Sequence, residues 1–349
     1  MDTLRYITDK TSVLIYTPTN RRYLTGFSST LGYLLMTING NTLFVDSRYF
    51  EAATKKTVNA KVVLIGSFIS ELNTELEKQG VEKLLIETEN DIAFYNALKS
   101  KLKVKVVPSQ PLSDRLTVLR SVKKKEEVDS IVAAQQIAEK AFDDVLSFIK
   151  EGKTEKEIAA FLEYRMKLYG AEGIAFETIA VSGANSSLPH GVPSEKPVSS
   201  GDFITMDFGA TVNGYCSDMT RTVAVGHITD EMEKVYNTVL EAQMKVIDTV
   251  RAGVRCVDAD AAAREVIVSN GYGEFFGHGT GHGVGLEIHE KPSLSPKAGE
   301  VKLRAGQIIT DEPGIYLPEK FGVRIEDMLY IRKNGCKNLT KAPKHLIIL

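Results

Sequence analysis

The sequence predicts an α+β protein in which a pseudo-twofold carboxyl-terminal domain follows a smaller α/β domain. Three observations lead to this class. Strand-like and helix-like segments alternate over the first third of the chain, the remainder repeats one order of elements, and paired glycines recur at a fixed offset. With 349 residues, the chain is long enough for two domains, each with its own core.

The first domain is predicted over residues 1–112. Short apolar runs of strand length alternate there with two segments, 67–79 and 91–102, in which apolar residues recur at helical spacing. The segment 108–111, which contains two prolines, is predicted to end this domain. Residues 113–125 are predicted as a linker, and we interpret the lysine run at 123–125 as the solvated start of a long helix.

Residues 126–349 contain an internal duplication. In each half, a long helix leads to a glycine, a second helix ends at another glycine, and a pair of strands follows. Gly152 corresponds to Gly253 and Gly170 to Gly271, with the same separation in both cases. Each glycine suits a helix C-terminus, where the backbone often takes a left-handed conformation. The second domain is therefore predicted as two related halves that each bring one hairpin to the centre.

Two aspartates lie on the first of these hairpins. Asn213–Gly214 predicts a two-residue turn, which places Asp218 opposite Gly209. Asp207 lies two residues from Gly209, so both aspartates project from one face, about 7–8 Å apart at the backbone. Carboxylates at this separation can span two metal ions about 3.5–4 Å apart, provided that no bulge shifts the register. The alternative is a pair of exposed acids at the strand ends.

The second hairpin carries two glutamates. Glu312 follows an apolar strand, and alternation puts Arg324 and Glu326 on one face of the return strand. A duplicated fold brings the two hairpins together, so that four carboxylates converge and their repulsion calls for divalent cations. Asp311 points by alternation away from Glu312 towards apolar packing, where it needs either a compensating partner or a local adjustment of the strand.

A glycine-rich segment at 276–285 contains His278 and His282, and His289 follows closely. Alternate glycines allow close backbone approach but disfavour a continuous helix, which excludes a helical H-E-x-x-H site. The segment also lacks the G-K-[ST] sequence of a phosphate loop. We therefore predict at least one metal ligand among these histidines. Oxygen-rich sites with one imidazole suit Mn²⁺ best and tolerate Co²⁺, Fe²⁺ or Zn²⁺.

Five segments of the chain resemble the motifs of metallopeptidases with the pita-bread fold, and in particular of the proline-specific prolidase and aminopeptidase P branch. These segments are 206–209, 217–222, 281–285, 312–314 and 324–327. The resemblance covers nearly the whole chain and includes 23–27 in the first domain. It implies a creatinase/prolidase-type amino-terminal domain before a pita-bread catalytic domain.

The resemblance also implies the roles of individual residues. The implied metal ligands are Asp207, Asp218, His282, Glu312 and Glu326. His190 and His289 are the implied substrate-binding and proton-handling histidines, with Glu312 as the acid/base group. Arg324 is the arginine implied to order the site, and His278 falls on a further active-site histidine position. Asp218 and Glu326 would bridge two divalent ions. A hydroxide held between two such ions is a nucleophile near neutral pH.

The implied activity is hydrolysis of the Xaa-Pro bond at the amino terminus of dipeptides or short peptides by a homodimer. The choice between dipeptides and longer peptides stays open, because 291–302 offers lysines but no arginine for a proline carboxylate. A methionine aminopeptidase is the closest alternative enzyme, and the long amino-terminal domain argues against it. A non-catalytic peptide-binding module is a second alternative, which the presence of all five implied ligands argues against.

Composition and charge exclude other classes of function. Lys plus Arg number 43 and Asp plus Glu 45, so a net charge of −2 leaves no electrostatic footprint for nucleic acid or an anionic membrane. No apolar stretch approaches the roughly 20 residues of a membrane helix, and the amino terminus lacks a signal-peptide core. Three cysteines without a C-x-x-C spacing favour reduced thiols and a cytoplasmic protein.

Overall fold

The computed structural model describes residues 5–349, and the chain divides into two compact units. The first unit extends to Arg120, and the second runs from Ser121 to Leu349. None of the helices within residues 5–349 combines the length and the apolar composition that a bilayer crossing requires.

The first unit is built on a six-stranded mixed sheet of order β4-β3-β2-β1-β5-β6. Its strands are β1 (Thr11–Ile15), β2 (Tyr33–Thr37), β3 (Gly40–Val45), β4 (Lys61–Leu64), β5 (Lys83–Ile86) and β6 (Lys105–Pro108). The helices of this region are α1 (Pro18–Thr25), α2 (Phe50–Lys56), α3 (Phe68–Lys78), α4 (Ile92–Lys101) and α5 (Gln110–Ser121). Alternation along β1 divides the core, because Val13 packs with residues of α2 and α5, and Leu14 with residues of α3 and α4.

Helix α5 occupies much of the segment that the sequence predicted as a linker. Pro111 suggested a chain break, but it lies in the first turn of α5, where the missing N–H costs no helical hydrogen bond. Leu112 and Leu116, one helical turn apart, are fully buried against the sheet. This apolar face makes the segment part of the core.

The second unit contains four long helices and two central hairpins. Its helices are α6 (Lys125–Phe148), α7 (Glu155–Leu168), α8 (Asp230–Thr249) and α9 (Cys256–Ser269). The strands of the first half are β7 (Gly173–Ile174), β8 (Ile179–Ser182), β9 (Phe203–Phe208), β10 (Ala210–Val212), β11 (Tyr215–Cys216) and β12 (Met219–Ala224). Those of the second half are β13 (Gly281–Gly283), β14 (Glu290–Leu294), β15 (Ile308–Asp311), β16 (Gly314–Leu317), β17 (Phe321–Arg324), β18 (Asp327–Arg332) and β19 (Gly335–Asn338).

The two halves of this unit correspond as the duplication predicts. The antiparallel pair β9–β12 follows α6 and α7, and the antiparallel pair β15–β18 follows α8 and α9. Gly170 and Gly271 follow the ends of α7 and α9 with φ of 98° and 86°. Gly152 and Gly253, with φ of 85° and 94°, lie in the turns before α7 and α9 rather than at the ends of the preceding helices.

The register predicted for the first hairpin is confirmed. Asp207 pairs with Thr220, and Thr211 pairs with Cys216 across a turn at Asn213–Gly214. Gly209 lies between β9 and β10. A Cβ atom at this position would lie 1.9 Å from the carbonyl oxygen of Ser217, so only glycine fits there. The two strands approach more closely at this point than any side chain allows.

The interpretation of the lysine run at 123–125 as wholly solvated is wrong for Lys123. Its side chain is only 1% exposed and forms an ion pair with Glu290 at 2.8 Å. Lys124 and Lys125 are exposed. The local charge pattern could not reveal this difference, because the partner of Lys123 comes from a distant part of the chain.

Candidate metal centre

A cavity of about 650 Å³ in the second unit is lined by residues from both halves of the duplication. Asp207 lies on β9, and Asp218 directly precedes β12. Glu312 directly follows β15, and Glu326 lies between β17 and β18. Every site residue suggested by the sequence lines this one cavity. They are His190, Asp207, Asp218, His278, His282, His289, Glu312, Arg324 and Glu326.

His282 stands between carboxylates of both hairpins. Its Nε2 lies 3.6 Å from Oδ2 of Asp218 and 3.4 Å from Oε1 of Glu312. One potential ligand atom from each of Asp218, His282 and Glu326 lies within 4.8 Å of the others. Side chains far apart in sequence thus direct oxygen and nitrogen atoms towards one point.

The tautomer of His282 suits a metal ligand. Its Nδ1 is 3.0 Å from the carbonyl oxygen of Gly283, to which an N–H at that position donates. Burial lowers the pKa of His282, which favours the neutral ring. With the proton on Nδ1, the lone pair of Nε2 faces Asp218 and Glu312, as in most histidine ligands whose other nitrogen donates to a carbonyl.

The carboxylates carry negative charge that the protein only partly compensates. Burial, followed by repulsion from Glu326 and Asp207, raises the pKa of Asp218 well above its ordinary value. Burial also raises the pKa of Glu326 and of Glu312, and neighbouring carboxylates add to the effect. The buried Oδ1 atom of Asp207 has no hydrogen-bond partner within residues 5–349. Divalent cations fit this donor set, because they stabilise the ionised form of each group.

Arg324 supplies the fixed positive charge of the site. Its buried guanidinium donates from Nη2 to Asp207 at 2.7 Å, from Nη1 to the Tyr316 hydroxyl at 2.8 Å and from Nε to Thr220 at 3.1 Å. Only one of the two Asp207 carboxylate oxygens is engaged by Arg324, so the other remains available to a cation. The arginine therefore orients Asp207 without saturating it.

Tyr316 joins Arg324 to His278. His278 Nδ1 lies 2.8 Å from the carbonyl oxygen of Gly279, so an Nδ1–H donates there and leaves Nε2 as an acceptor. The Tyr316 hydroxyl, 2.8 Å from that Nε2, donates to it. Burial lowers the pKa of His278 and raises that of Tyr316 to about 12, so both groups are neutral near pH 7.

Two further histidines lie around the carboxylates. The His289 ring is 4.4 Å from the His282 ring, centroid to centroid. The residue is exposed at the cavity, and partial desolvation of its ring lowers the pKa of His289. His190 is exposed at the cavity, beside Pro189, whose carbonyl oxygen accepts a hydrogen bond from Arg324 at 3.3 Å.

The loop that carries His190 is tied to a buried carboxylate. Glu155, at the first turn of α7, is completely buried. Its Oε1 accepts the backbone N–H of Ser182 at 2.7 Å, and its Oε2 accepts that of Ser194 at 3.0 Å. The two ends of the loop are therefore fixed to one side chain, which stabilises the position of His190 beside the cavity.

Close backbone approach in the glycine-rich segment is confirmed. Strand β13 lies between β14 and β15, and a Cβ atom on Gly281 would lie 2.1 Å from the carbonyl oxygen of Thr310. The glycine therefore lets β13 bring His282 close to Glu312.

Sequence reasoning missed Tyr316, Thr220 and Glu155. Tyr316 lies two residues beyond Gly314, which pairs with Arg324 across β16 and β17, and Thr220 lies two residues beyond Asp218. Alternation is therefore the signal that could have identified both. Glu155 carries no comparable signal, because its partners lie in a loop far along the chain.

Asp311 is buried without a compensating hydrogen bond. It lies opposite Asp327 in a regular β15–β18 ladder, and no donor in residues 5–349 reaches either of its carboxylate oxygens. Burial raises the pKa of Asp311 well above its ordinary value, and Asp327 adds to the rise although Lys344 opposes it. Asp311 therefore has neither a compensating hydrogen-bond partner nor a local adjustment of its strand, and burial favours the neutral form of its carboxyl group.

Replacing Asp311 by valine is expected to raise the free energy of unfolding by about 1–3 kcal/mol, because the change removes a buried polar group without partners. Since the folded-state pKa of Asp311 is raised, wild-type stability declines as pH rises above the unfolded-state value. The difference in the free energy of unfolding between Asp311→Val and the wild type should therefore be larger at pH 8 than at pH 5. Denaturant unfolding of both proteins at the two pH values measures it, and a less stable variant would contradict the explanation.

Two family matches cover most of the chain. Residues 129–333 match metallopeptidase family M24, and residues 10–122 match the creatinase/prolidase N-terminal domain. Every residue that lines the cavity lies within the first match. The order of the two matches along the chain is the predicted order of the two domains.

Solved structures of similar proteins have the same fold over nearly the whole of both chains. A solved Xaa-Pro dipeptidase from Bacillus anthracis is 41% identical, with a TM-score of 0.93 and coverage of 97% of this chain and 95% of the other. An X-Pro aminopeptidase from Thermotoga maritima is 38% identical, with a TM-score of 0.92 and full coverage of both chains. A curated Xaa-Pro dipeptidase from Pyrococcus horikoshii is 42% identical over 96% of this chain and 94% of its own. The pita-bread prediction is confirmed, and the chain belongs to metallopeptidase family M24.

Proposed function

We propose that this metallopeptidase hydrolyses the Xaa-Pro bond at the amino terminus of dipeptides or short peptides. The observation that carries the proposal is the convergence of His282 Nε2 with carboxylates of both hairpins in one cavity. The names of similar proteins support the proline specificity, since both Xaa-Pro dipeptidases and an X-Pro aminopeptidase have this fold.

We further propose that the site holds two divalent cations per chain, with Mn²⁺ as the best match. The proposed ligands are Asp207, Asp218, His282, Glu312 and Glu326. Four carboxylates and one imidazole form a hard, oxygen-rich set, which suits Mn²⁺ and tolerates Co²⁺, Fe²⁺ or Zn²⁺. When bound, two such cations lower the pKa of water and stabilise negative charge on the substrate carbonyl oxygen.

Glu312 is the proposed proton carrier. Its Oε1 lies 3.4 Å from His282 Nε2, at the point where the proposed ligands converge, so its carboxylate is placed to accept a proton and to return it. In the proposed cycle, Glu312 accepts a proton from the attacking water. It then delivers that proton to the proline nitrogen as the C–N bond breaks.

The histidines are proposed to hold the substrate. His289 lines the cavity, and partial desolvation of its ring lowers its pKa, so a neutral ring can donate its N–H to the oxygen that becomes negative in the tetrahedral intermediate. His190, exposed at the cavity, is proposed to contact the leaving-group side. Arg324 and His278 act through the hydrogen bonds that fix Asp207 and Tyr316.

Proline requires a site that does not depend on a backbone N–H at the scissile bond. Phe176, Ile179, Pro189 and Ile288 add apolar surface to the same cavity. We propose that this surface receives the pyrrolidine ring, for which burial of apolar area is the available source of affinity.

Manganese-loaded enzyme is expected to hydrolyse Ala-Pro with kcat/KM at least about 10²-fold above that for Ala-Ala, because alanine lacks the Cγ and Cδ methylenes of proline and each is worth roughly 10–200-fold in an apolar pocket. Release of free amino acids, followed by chromatography, measures both rates. Preference for Met-Ala would instead favour the methionine aminopeptidase alternative. A parallel assay of Ala-Pro-Ala decides between dipeptidase and aminopeptidase activity.

We also propose a cytoplasmic homodimer that associates through the amino-terminal domain. The three cysteines Cys216, Cys256 and Cys336 are free thiols, which supports a reducing compartment. The resemblance to prolidases supports the dimer. Sedimentation of the purified protein tests the oligomeric state.

A further inference from the structure

One buried ion pair of the second unit lies beside the cavity and has no part in the proposed reaction. Lys123, just before α6, contacts Glu290, the first residue of β14, with 2.8 Å between Nζ and Oε2. Their side chains are 1% and 3% exposed, so both charges are removed from water. Glu290 lines the cavity, and Lys123 does not.

The ion pair fixes the turn that precedes β14. The backbone N–H of Glu287 lies 3.4 Å from the Glu290 carboxylate, and a Cβ atom on Gly285 would lie 2.5 Å from that carboxylate. Lys123 is held in turn by a backbone hydrogen bond of 2.8 Å from its N–H to the carbonyl oxygen of Gly306. The turn 285–290 is therefore anchored to the segment that leads into α6.

His289 is part of this anchored turn. It directly precedes Glu290, and its ring lies 4.4 Å from that of His282. A displacement of Glu290 would move the backbone of His289 with it. A shift of about 1 Å in a reacting group can lower a rate by about 10²-fold.

The pair has little value as a source of stability. Desolvation of two buried charges offsets most of their attraction, and apolar residues of similar volume often replace such pairs without loss of stability. A role in orientation accounts for the pair better. We propose that Lys123 and Glu290 are positioning residues that hold His289 against His282 for the hydrolysis of Xaa-Pro substrates; this inference rests on the proposed function.

The decisive variant is the double substitution Lys123→Met and Glu290→Leu, which replaces both charges with apolar side chains. Because no uncompensated charge is left, the variant is expected to fold with a Tm near that of the wild type. Its kcat for Ala-Pro is expected to fall about 10- to 100-fold, with KM and metal content within twofold of wild type. Lys125→Met is the matched control, because Lys125 pairs with Asp129 on the surface, and its activity should be unchanged.

A double-mutant cycle separates positioning from general stability. In a His289→Ala background, the Lys123→Met/Glu290→Leu change is expected to have no further effect on kcat, since the ring that it displaces is gone. A full additional 10- to 100-fold loss in that background would overturn the proposal, and so would unchanged kcat of the double variant with His289 present.

Crystal structures of wild type and variant give a readout that needs no activity. The centroid separation between His282 and His289, 4.4 Å with the ion pair intact, is expected to increase in the variant. An unchanged separation would overturn the proposal. If this double variant does not fold, Lys123→Met/Glu290→Gln, which also removes both charges and keeps the shape of the Glu290 side chain, is read in the same three assays. Absence of Xaa-Pro hydrolysis by the wild type would refute the proposed function, and the ring separation would still test the positioning.

Discussion

Replacement of Asp218 by asparagine is expected to lower kcat for Ala-Pro by more than about 10³-fold, because it removes charge at the point where the cations would hold and activate water. The Asp218 side chain is almost completely buried between His282 and Glu326. Steady-state assays with Mn²⁺ in excess measure the loss. Asp258→Asn is the matched control, because Asp258 is a half-exposed partner of Arg255 and lies outside the cavity, so its kcat should stay within twofold of wild type.

The same substitution should stabilise the metal-free protein. Burial and repulsion raise the pKa of Asp218, so without cations its ionisation destabilises the fold as pH rises above the unfolded-state value. In chelator, Asp218→Asn is therefore expected to melt above the wild type at pH 8, although it is inactive. In the activity assay with excess Mn²⁺, an Asp218→Asn variant that keeps more than a tenth of the wild-type kcat would exclude Asp218 from the metal site.

Replacement of Arg324 by methionine is expected to lower kcat by about 10²- to 10³-fold and also to destabilise the fold. The change removes the donors that orient Asp207 and Tyr316, and it leaves the Asp207 carboxylate, only 14% exposed, without its partner. Breaking a buried pair in this way costs about 3–5 kcal/mol. Lysine should not restore activity, since the three N–H donors of one ammonium group cannot make the four hydrogen bonds of the guanidinium. Kinetics and denaturant unfolding measure the two effects.

A control for Arg324 is available on the surface. Arg255 pairs with Asp258 and Glu300 while its own side chain is 41% exposed. Arg255→Met should cost at most about 1 kcal/mol and leave kcat unchanged. Equal losses in both variants would mean that Arg324 contributes only general stability.

Sequence patterns were informative where a local rule determines the geometry. The Asn213–Gly214 turn fixes the pairing of β9 with β12, and that pairing places Asp207 and Asp218 on one face. The repeated order of elements led from this hairpin to its counterpart and to Glu312 and Glu326. These steps used a turn of known length, a period of two residues and a repeated order of elements, all of which a sequence records directly.

Patterns were uninformative where the deciding partner is distant in sequence. Lys123 belongs to a charge run that local composition assigns to the surface, yet it pairs with Glu290 in the core. Helix α5 is stabilised by burial of Leu112 and Leu116 against a sheet, so the chain continues as a helix where Pro111 suggested a break. Asp311 was noted as out of place, but only the three-dimensional contacts show that no donor in residues 5–349 reaches it.

The metal content of the purified protein tests the central claim most directly. After incubation with Mn²⁺ and removal of the free ion, elemental analysis is expected to find about two Mn²⁺ per chain, since the proposed ligand set is that of a two-cation site. Dialysis against EDTA should abolish hydrolysis of Ala-Pro, and Mn²⁺ should restore it. A chain that retains no divalent metal, yet hydrolyses Ala-Pro at full rate in excess EDTA, would contradict the account.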